Sequence, residues 1–332
     1  MREDLFHNKI TWFTFIFSIL VVWVHSVNTA AGGGAVLENF LGDTIGQIAV
    51  PGFFMMSGYL FYRNFSWEKL GGKWGSRVRG ILVPFLLWNG LYYMGYVLGS
   101  RLPFVRGIME KGPVPFDWHT AGAALLHYTY NPVFWYLYQL ILLVSLAPAL
   151  YGILKNKIPG LAAVGTAFFL AQRGVIIPHL NLDALFYYSL AAYGGIHGRS
   201  LVEGEGTVKK AAAGMGLMAF GAAAYMARWP GVISATVCFR TAVPVGLWFF
   251  TDGRQLPEAR WWMKYNFYIY AVHYGLVRVI SKTAAAAFGD RELVMTVLFL
   301  AMPAVMVWIA AGTGKWLRQR VPALWSVLNG GR

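Results

Sequence analysis

Hydrophobic residues occur along the chain in long blocks, most of them about as long as a membrane-spanning helix. A helix needs roughly 20 mostly apolar residues to cross the hydrocarbon core of a bilayer. The stretches that reach or approach this length are Ile10–Val27, Ile45–Tyr62, Ile81–Leu98, Val133–Ile153, Pro159–Ala171, Leu182–Ile196, Ala211–Ala227, Val232–Phe250, Asn266–Ile280 and Leu293–Ala311. The fifth and sixth are short, which favours tilted helices or helices broken at Gly and Pro. The pattern predicts an all-α, polytopic membrane protein with about ten transmembrane helices.

The positions of the basic residues predict the orientation of these spans. When successive spans alternate in direction, most Lys and Arg residues fall in the loops on the side of the N-terminus, as Lys69 and Lys73 do in the first of these loops. The positive-inside rule then places both termini in the cytoplasm. We find no internal repeat and no separate soluble segment, so we expect a single transmembrane domain over residues 1–332.

Composition excludes several classes of protein. Hydrophobic residues make up 57% of the chain and charged residues 13%, which is far from a soluble domain. The net charge is +14, but the basic residues are spread over short loops, so we exclude nucleic acid and expect membrane lipid as a partner. Cys238 is the single cysteine, and no His or Asp cluster has metal-ligand spacing, so we predict no catalytic metal. Walker A, HExxH and GxSxG motifs are also missing.

Two long polar segments are predicted on the outer side. One runs from Gly99 to Asn131, and the other, from Asn28 to Thr44, contains the run Gly32, Gly33 and Gly34. Long loops on one face often cover a binding site. A solvated connection is the alternative, and the sequence leaves both open.

Three polar residues inside predicted spans are candidates for chemistry. His25 lies near the outer end of the first span, Arg240 in the middle of the eighth, and His273 in the ninth. Polar groups within a membrane are costly and indicate function by default. A histidine can take a proton from a hydroxyl near neutral pH. The alternatives are a helix-end histidine meeting lipid headgroups and an internal ion pair for Arg240.

Two further segments carry candidate residues. Ser57 is followed by Gly58, and such small residues let another helix approach closely, while the Ser57 and Tyr59 side chains can also bond a ligand. Lys73 and Arg77 are four residues apart and share a helix face. With Arg79 they suit the phosphates of a nucleotide carrier; the alternative is an ordinary cytoplasmic basic loop that contacts lipid phosphates.

These residues belong to motifs that resemble the acyltransferase 3 family, whose multi-spanning members O-acylate bacterial surface carbohydrates. The matching motifs run in family order from residue 9 to about 280. They are V-V-x-x-H ending at His25, P-x-F-F-x-x-S-G-Y-L at Pro51–Leu60, K-x3-R-x-R at Lys73–Arg79, P-x3-W-N at Pro84–Asn89, Phe134-Trp135-Tyr136-Leu137, and Y-I-Y-x-x-H ending at His273. The chain departs from the family at Thr14, where the family often has Arg, and at Tyr138-Gln139, where it has Arg-Asp.

The resemblance implies an O-acyltransferase of the bacterial cytoplasmic (inner) membrane. The donor would be cytoplasmic acyl-CoA, by family default acetyl-CoA, and the acceptor a hydroxyl of an extracytoplasmic or membrane-linked carbohydrate. We assign His25 to catalysis, with Arg240, Tyr59 or Ser57 stabilising the oxyanion. The residues assigned to acyl-CoA are Lys73, Arg77, Arg79, Trp88 and Asn89. Those assigned to substrate are Trp135, Tyr136, Gln139, Tyr270 and His273.

Other classes of function stay open at the level of sequence. A transporter or flippase for a polar or anionic substrate would share many spans and buried Arg and His residues, although no repeated halves are found here. A membrane scaffold is less consistent with Arg240 and His273. The sequence does not separate direct transfer from a transient acyl-enzyme, and it leaves a homo-oligomer open.

Overall fold

The structure is a computed structural model that describes residues 2–26, 33–103, 105–106, 112–289 and 291–331. These residues are mostly helical, and no β-strand occurs among them apart from one isolated bridge between Ile177 and Leu180. The predicted all-α class is confirmed for this part of the chain. Val27 of the first predicted span, Gly32 of the glycine run and residues 107–111 of the long polar segment lie outside the described residues.

The α-helices are numbered here in chain order. They are α1 Glu3–Ser26, α2 Gly33–Glu38, α3 Ala49–Tyr62, α4 Leu70–Arg77, α5 Val83–Gly99, α6 Trp118–His127, α7 Trp135–Ser145, α8 Ala147–Leu154, α9 Lys157–Gln172, α10 Leu182–His197, α11 Arg199–Glu203, α12 Val208–Ala227, α13 Val232–Phe250, α14 Asn266–Phe288, α15 Glu292–Arg320 and α16 Pro322–Leu328. There are also two short π-helical segments. Asn39–Ile45 is followed by a short turn and then by α3, and Val78–Leu82 leads directly into α5.

Each predicted apolar stretch corresponds to a helix or, for the fourth, to a helix pair bent by 62°. Among the described residues, five helices are long and apolar enough to cross a membrane, and the bent pair α7 and α8 would make six. The five are Glu3–Ser26, Gly34–Tyr62, Trp67–Gly99, Val232–Phe250 and Glu292–Arg320. The chain is thus a multi-pass membrane protein. The count of about ten spans and the cytoplasmic termini stay predictions.

The bend in the fourth stretch has a local cause. Pro148 lies in the first turn of α8, and a proline there has no N–H to continue the ladder of α7. Leu146 sits between the two helices outside helical geometry. The hydroxyl of Tyr62 donates to the carbonyl of Ala147 at 3.2 Å, which satisfies a backbone group at the break.

The chain forms two compact units. The first comprises Met1–Phe17, Gly46–Lys73 and Leu142–Met263, and the second comprises Ser18–Ile45, Trp74–Ile141 and Lys264–Arg332. Boundaries between the two units therefore fall within α1, α4 and α7.

Glycines permit close helix packing in the first unit. A Cβ on Gly58 in α3 would lie 2.2 Å from the carbonyl oxygen of Tyr188 in α10. Likewise, a Cβ on Gly214 in α12 would lie 2.6 Å from the carbonyl oxygen of Gly246 in α13. Membrane helices associate through such close backbone contacts. The prediction that Gly58 lets another helix approach is confirmed.

In the second unit, the segment predicted as a long loop is partly helical and packed. Asp117 caps α6 by accepting from the N–H of Thr120 at 2.8 Å. Val114 and Ala124 are buried against Tyr93 of α5. The sequence-based expectation of a simple loop was therefore incomplete, because the N-cap and the apolar residues after it define a helix that covers α5.

Candidate active site

Two histidines of the second unit lie close together, one at the end of α1 and the other within α14. His25 is the penultimate residue of α1 and is partly buried, while His273 is fully buried. Their ring centroids are 5.2 Å apart. The ring of Tyr274 meets His25 edge-on at 5.8 Å. The structure thus brings together two of the polar residues that the sequence singled out, from spans almost 250 residues apart.

The hydrogen bonding of His273 defines its tautomer. Its Nδ1 lies 2.7 Å from the carbonyl oxygen of Tyr270. Because a carbonyl only accepts, Nδ1 must be the donor, and in the neutral ring Nε2 then presents a lone pair. Among the described residues, Nε2 of His273 meets no hydrogen-bond partner although it is buried. A buried acceptor of this kind is costly unless a ligand or water uses it.

Neighbouring residues hold this part of α14 in place. The hydroxyl of Tyr270 donates to the carbonyl of Val133 at 2.6 Å, and the ring of Tyr270 stacks on Phe134 at 5.5 Å. On α5, the hydroxyl of Tyr92 donates to the carbonyl of Ala271 at 3.1 Å and accepts from the N–H of Gly275 at 3.2 Å. The backbone around His273 is therefore fixed on two sides, which limits the rotation available to its ring.

Arg278 supplies a permanent positive charge in the same unit. Its guanidinium donates to the hydroxyl of Tyr274 at 2.8 Å, one turn before it on α14. Tyr274 in turn contacts His25. The sequence analysis did not select Arg278, because a cation toward the end of a predicted span is usually explained by its reaching for the headgroups.

Asn131 is a second residue that sequence reasoning missed. It is fully buried, and neither its side-chain oxygen nor its nitrogen meets a hydrogen-bond partner within the described residues. It lies two residues before Val133, whose carbonyl binds the hydroxyl of Tyr270. The available signal was its place just before Pro132, where the long polar segment ends and α7 is about to begin.

The remaining substrate-assigned residues lie on α7, also in the second unit. Tyr136 meets the ring of Tyr270 edge-on at 6.0 Å, so these two assigned residues are brought together. Gln139 is buried one turn later, and Trp135 begins the helix. Their role in binding substrate stays a prediction.

Trp88 and Asn89 of α5 are buried and make internal hydrogen bonds. The indole N–H of Trp88 donates to the carbonyl of Leu328 at 3.0 Å, and the amide of Asn89 donates to the carbonyl of Leu125 at 3.4 Å. The amide oxygen of Asn89 meets no partner among the described residues. These contacts give Trp88 a packing role, and the assignment of both residues to acyl-CoA stays a prediction.

Arg240 belongs to the first unit and has partners there. Its Nε donates to Gln47 Oε1 at 3.0 Å, and its Nη1 lies 3.6 Å from Asp183 Oδ2. The side chains of Arg240 and Asp183 are both one-third exposed. The structure therefore gives Arg240 the internal ion pair that the sequence left open as an alternative, and its catalytic role stays a prediction.

Tyr59 is also engaged within the first unit. Its hydroxyl donates to Glu203 Oε1 at 2.6 Å, and Glu203 is held as well by Arg63 and Arg199. A phenol has one O–H donor, so stabilising an oxyanion would require Tyr59 to leave this carboxylate. Ser57, on the same helix, is partly buried.

The basic residues assigned to the donor phosphates lie on and just after α4. Lys73 and Arg77 are on one helix, four residues apart, as predicted, and Arg79 lies in the π-helical turn that follows. The ammonium of Lys73 donates to the carbonyl of Phe61 at 2.6 Å. Arg79 is exposed and Arg77 partly so. No group of three or more metal-binding side chains is found in the described part of the chain, and the absence of a catalytic metal stays a prediction.

A family model described as an acyltransferase domain matches residues 8–313. The chain belongs to the acyltransferase 3 family. The resemblance inferred from the motifs is thereby confirmed. The chain is similar to the succinoglycan biosynthesis protein ExoH of Rhizobium meliloti, with 28% identity over 172 residues. The match spans 49% of this chain and 44% of ExoH, less than half of that relative's length. No solved structure matches this chain.

Where many members of the acyltransferase 3 family have an arginine in the first span, this member has Thr14. The Thr14 hydroxyl donates to the carbonyl of Ile10 at 2.9 Å. Lys9, the nearest basic residue along α1, is buried and donates to the carbonyls of Trp248 and Thr251 at 2.6 and 2.7 Å. Its ammonium lies 4.1 Å from the ring centroid of Trp248. Lys9 thus caps the end of α13, which leaves it few donors for a ligand.

Proposed function

We propose that this acyltransferase moves an acyl group, by family default acetyl, from cytoplasmic acyl-CoA to a hydroxyl of a carbohydrate-like acceptor. The acceptor would be extracytoplasmic or linked to the membrane. Family membership supports the acyl transfer, and the similarity to a succinoglycan biosynthesis protein supports a carbohydrate acceptor. The proposal includes ten spans in a bacterial cytoplasmic membrane, with both termini in the cytoplasm.

The observation that supports this function best is the buried histidine pair. His25 is partly accessible, whereas His273 is fully buried with Nδ1 occupied by a backbone carbonyl. One imidazole can therefore exchange protons with an incoming hydroxyl, while the other is oriented to accept a hydrogen bond through Nε2. We assign His25 as the general base and His273 as the residue that positions the acceptor.

The reaction then balances as follows. The acceptor is oriented by a second hydroxyl that donates to Nε2 of His273, while its reacting hydroxyl gives its proton to His25 as the oxygen attacks the thioester carbonyl carbon. The tetrahedral intermediate carries a negative charge on the former carbonyl oxygen. The C–S bond breaks, the acyl ester stays on the acceptor, and the CoA thiolate takes the proton from the His25 imidazolium. Direct transfer needs no acyl-enzyme, although a two-step route through a nucleophile is the other chemical option.

Tyr274 and Arg278 are the first candidates to stabilise the oxyanion, because the Tyr274 ring contacts His25 and Arg278 donates to the Tyr274 hydroxyl within the same unit. The hydroxyl oxygen of Tyr274 accepts from Arg278, which strengthens the Tyr274 O–H as a donor in turn. Arg240 stays a second candidate, although its ion pair with Asp183 already uses part of its donor set. On the donor side, Lys73, Arg77 and Arg79 suit the CoA phosphates, the last two by their exposure.

The test is release of CoA. The full-length protein in nanodiscs is given acetyl-CoA, and free thiol is followed with and without candidate glycans. We expect His25→Ala to lower turnover by a factor of about 10² to 10⁴, the usual contribution of a general base. The matched control is His119→Ala, since His119 is exposed at the start of α6.

Each outcome bears on a different part of the proposal. Normal CoA release by His25→Ala would remove His25 from the chemistry. Binding of acetyl-CoA without release would keep the donor and require a different acceptor. If the protein neither binds acetyl-CoA nor releases CoA, but moves a polar solute into vesicles, the transporter alternative is favoured instead.

A further inference from the structure

The first unit contains a cavity that the proposed reaction does not use. It has a volume of about 550 Å³, within the size range of ligand sites. Its walls come from α1, α3, α10 and α13, and most of the side chains are apolar, including Phe13, Phe17, Met55 and Trp248. Methionine adapts its shape to flexible apolar ligands. The wall chemistry therefore fits a hydrocarbon chain.

Two polar side chains of the lining, those of Tyr193 and His197, lie close to the start of α9, where Lys157 also lines the cavity. The hydroxyl of Tyr193 donates to the carbonyl of Lys157 at 3.2 Å, and the rings of Tyr193 and His197 are 4.6 Å apart. Nε2 of His197 donates to the carbonyl of Leu154 at 2.8 Å, since a carbonyl only accepts. Lys157 is exposed, and no carboxylate lies within ion-pair distance of it among the described residues. A positive charge thus stands beside an apolar cavity.

We propose that this cavity holds one acyl chain of an anionic membrane phospholipid, with the phosphate at Lys157. Water is a poor occupant, because an apolar cavity offers too few hydrogen-bond partners. An empty cavity would leave the wall side chains without van der Waals contacts. In a bilayer, the apolar molecules at hand are lipid chains, and a lysine beside the membrane attracts anionic headgroups.

The fatty chain of an acyl-CoA is the competing occupant, and charge argues against it. CoA carries a 3′-phosphate and a pyrophosphate, whereas Lys157 is the one permanent cation among the residues that line the described cavity. A single lysine matches the single phosphate of a phospholipid better. The site is separate from the proposed catalytic function, since none of the residues given a role there lines the cavity, and Tyr59, which does line it, donates its hydroxyl to Glu203.

Gly194 offers a substitution that fills the cavity without a clash. It lines the cavity within α10, and a Cβ there would meet only Val202, at 4.0 Å. Gly194→Leu therefore places four carbon atoms in the space that the chain would occupy. The control is Gly165→Leu on α9, because Gly165 is exposed, lines no part of this cavity, and a Cβ there meets nothing within 4 Å. Met56→Trp is a second filling variant if Gly194→Leu does not fold.

The experiment is photo-cross-linking in liposomes with phosphatidylglycerol that bears a diazirine in one acyl chain, followed by mapping of labelled peptides. In the wild type, we expect labelled peptides from α3, α10 and α13. Labelling of these peptides should be at least fivefold lower in Gly194→Leu and Met56→Trp, and it should be unchanged in Gly165→Leu. Lys157→Gln should lower labelling by phosphatidylglycerol about fivefold, to the level of a matched phosphatidylcholine probe.

Two results would overturn the proposal. Equal labelling of these peptides in wild type and both filling variants would show that the chain lies outside the cavity. Displacement of the label by palmitoyl-CoA, with none by excess unlabelled phosphatidylglycerol, would assign the cavity to the acyl donor. Labelling needs no turnover, so loss of CoA release in His25→Ala has no effect on either reading.

Discussion

Arg63 joins three segments of the first unit through its guanidinium group. Nε and Nη2 donate to the two oxygens of Glu203 at 2.6 and 2.9 Å, and Nη1 and Nη2 donate to the two oxygens of Glu3 at 2.6 Å each. The guanidinium carbon also lies 4.4 Å from the ring centroid of Phe6. We predict that Arg63→Met, which keeps an unbranched apolar chain and removes the charge, destabilises this unit strongly.

The expected loss of stability follows from the burial of the two ion pairs that Arg63 makes, with Glu203 and with Glu3. The Arg63 and Glu203 side chains are 9% and 12% exposed, and leaving one partner of a buried pair alone costs about 3–5 kcal/mol. Tyr59 and Arg199 remain beside Glu203, which reduces this loss to about 2–3 kcal/mol. Glu3 is 58% exposed, so loss of the Arg63–Glu3 ion pair adds about 0–1 kcal/mol. The total is about 3 kcal/mol.

The assay is the free energy of unfolding in mixed micelles, with Arg254→Met as control. Arg254 also binds two carboxylates, but its side chain is 46% exposed and the ammonium of Lys9 still acts on Asp252, the more buried of the two, so its loss should cost about 1 kcal/mol. The double variant Arg63→Met with Glu203→Gln should recover part of the stability, because no buried carboxylate is then left unpaired. If Arg63→Met costs no more than Arg254→Met, the reasoning from burial is refuted.

The same cluster predicts a pH dependence. Burial raises the pKa of Glu203, but hydrogen bonds from Arg63, Tyr59 and Arg199 lower it by more, so its pKa is below the usual 4.5. A carboxyl with a lowered pKa contributes stability that is present above pH 4.5 and lost as the pH falls through its folded-state pKa. The wild type should therefore lose stability below pH 4.5, and Glu203→Gln should show a flatter profile there.

Two further substitutions test the packing and the role of Arg240. Gly58→Ala should cost about 1–3 kcal/mol, because its Cβ would lie 2.2 Å from the backbone oxygen of Tyr188, whereas Gly95→Ala, with nothing within 4 Å, should be neutral or slightly stabilising. Arg240→Met should lower both stability and CoA release. If Arg240 acts through its ion pair with Asp183, adding Asp183→Asn should restore both. A double variant that is stable but inactive would instead place Arg240 in the chemistry.

Helix positions were predictable because hydrophobicity is a property of consecutive residues. Val232–Phe250 was predicted with the bounds that α13 has, and α10 differs from its predicted stretch by one residue at its end. The predicted stretch Asn266–Ile280 is two turns shorter than α14. The apolar run is interrupted at Lys282, whereas the alanines after it continue the helix. Membership of the acyltransferase 3 family could also be recognised from local motifs.

The partners of the polar residues could not be predicted in the same way. His25 and His273 were each selected because a polar side chain in a span is costly, but their contact at 5.2 Å depends on how α1 and α14 pack. Arg240 was selected because a charged side chain within a span is costly, and Asp183 at the start of α10 supplies the ion-pair partner that the sequence could not identify. Asn131 was missed because its place just before Pro132 marks the start of a helix but does not reveal that its side chain is buried.

By itself, the sequence determined the helical class, the membrane character and the family, since each depends on residues that are neighbours along the chain. Tertiary structure alone decided which histidines meet, where Tyr59 and Arg240 find their partners, and that an apolar cavity forms beside Lys157. The physical reason is that hydrogen bonds and ion pairs act over a few ångströms, whereas the residues that make them here are often more than 100 positions apart in the chain.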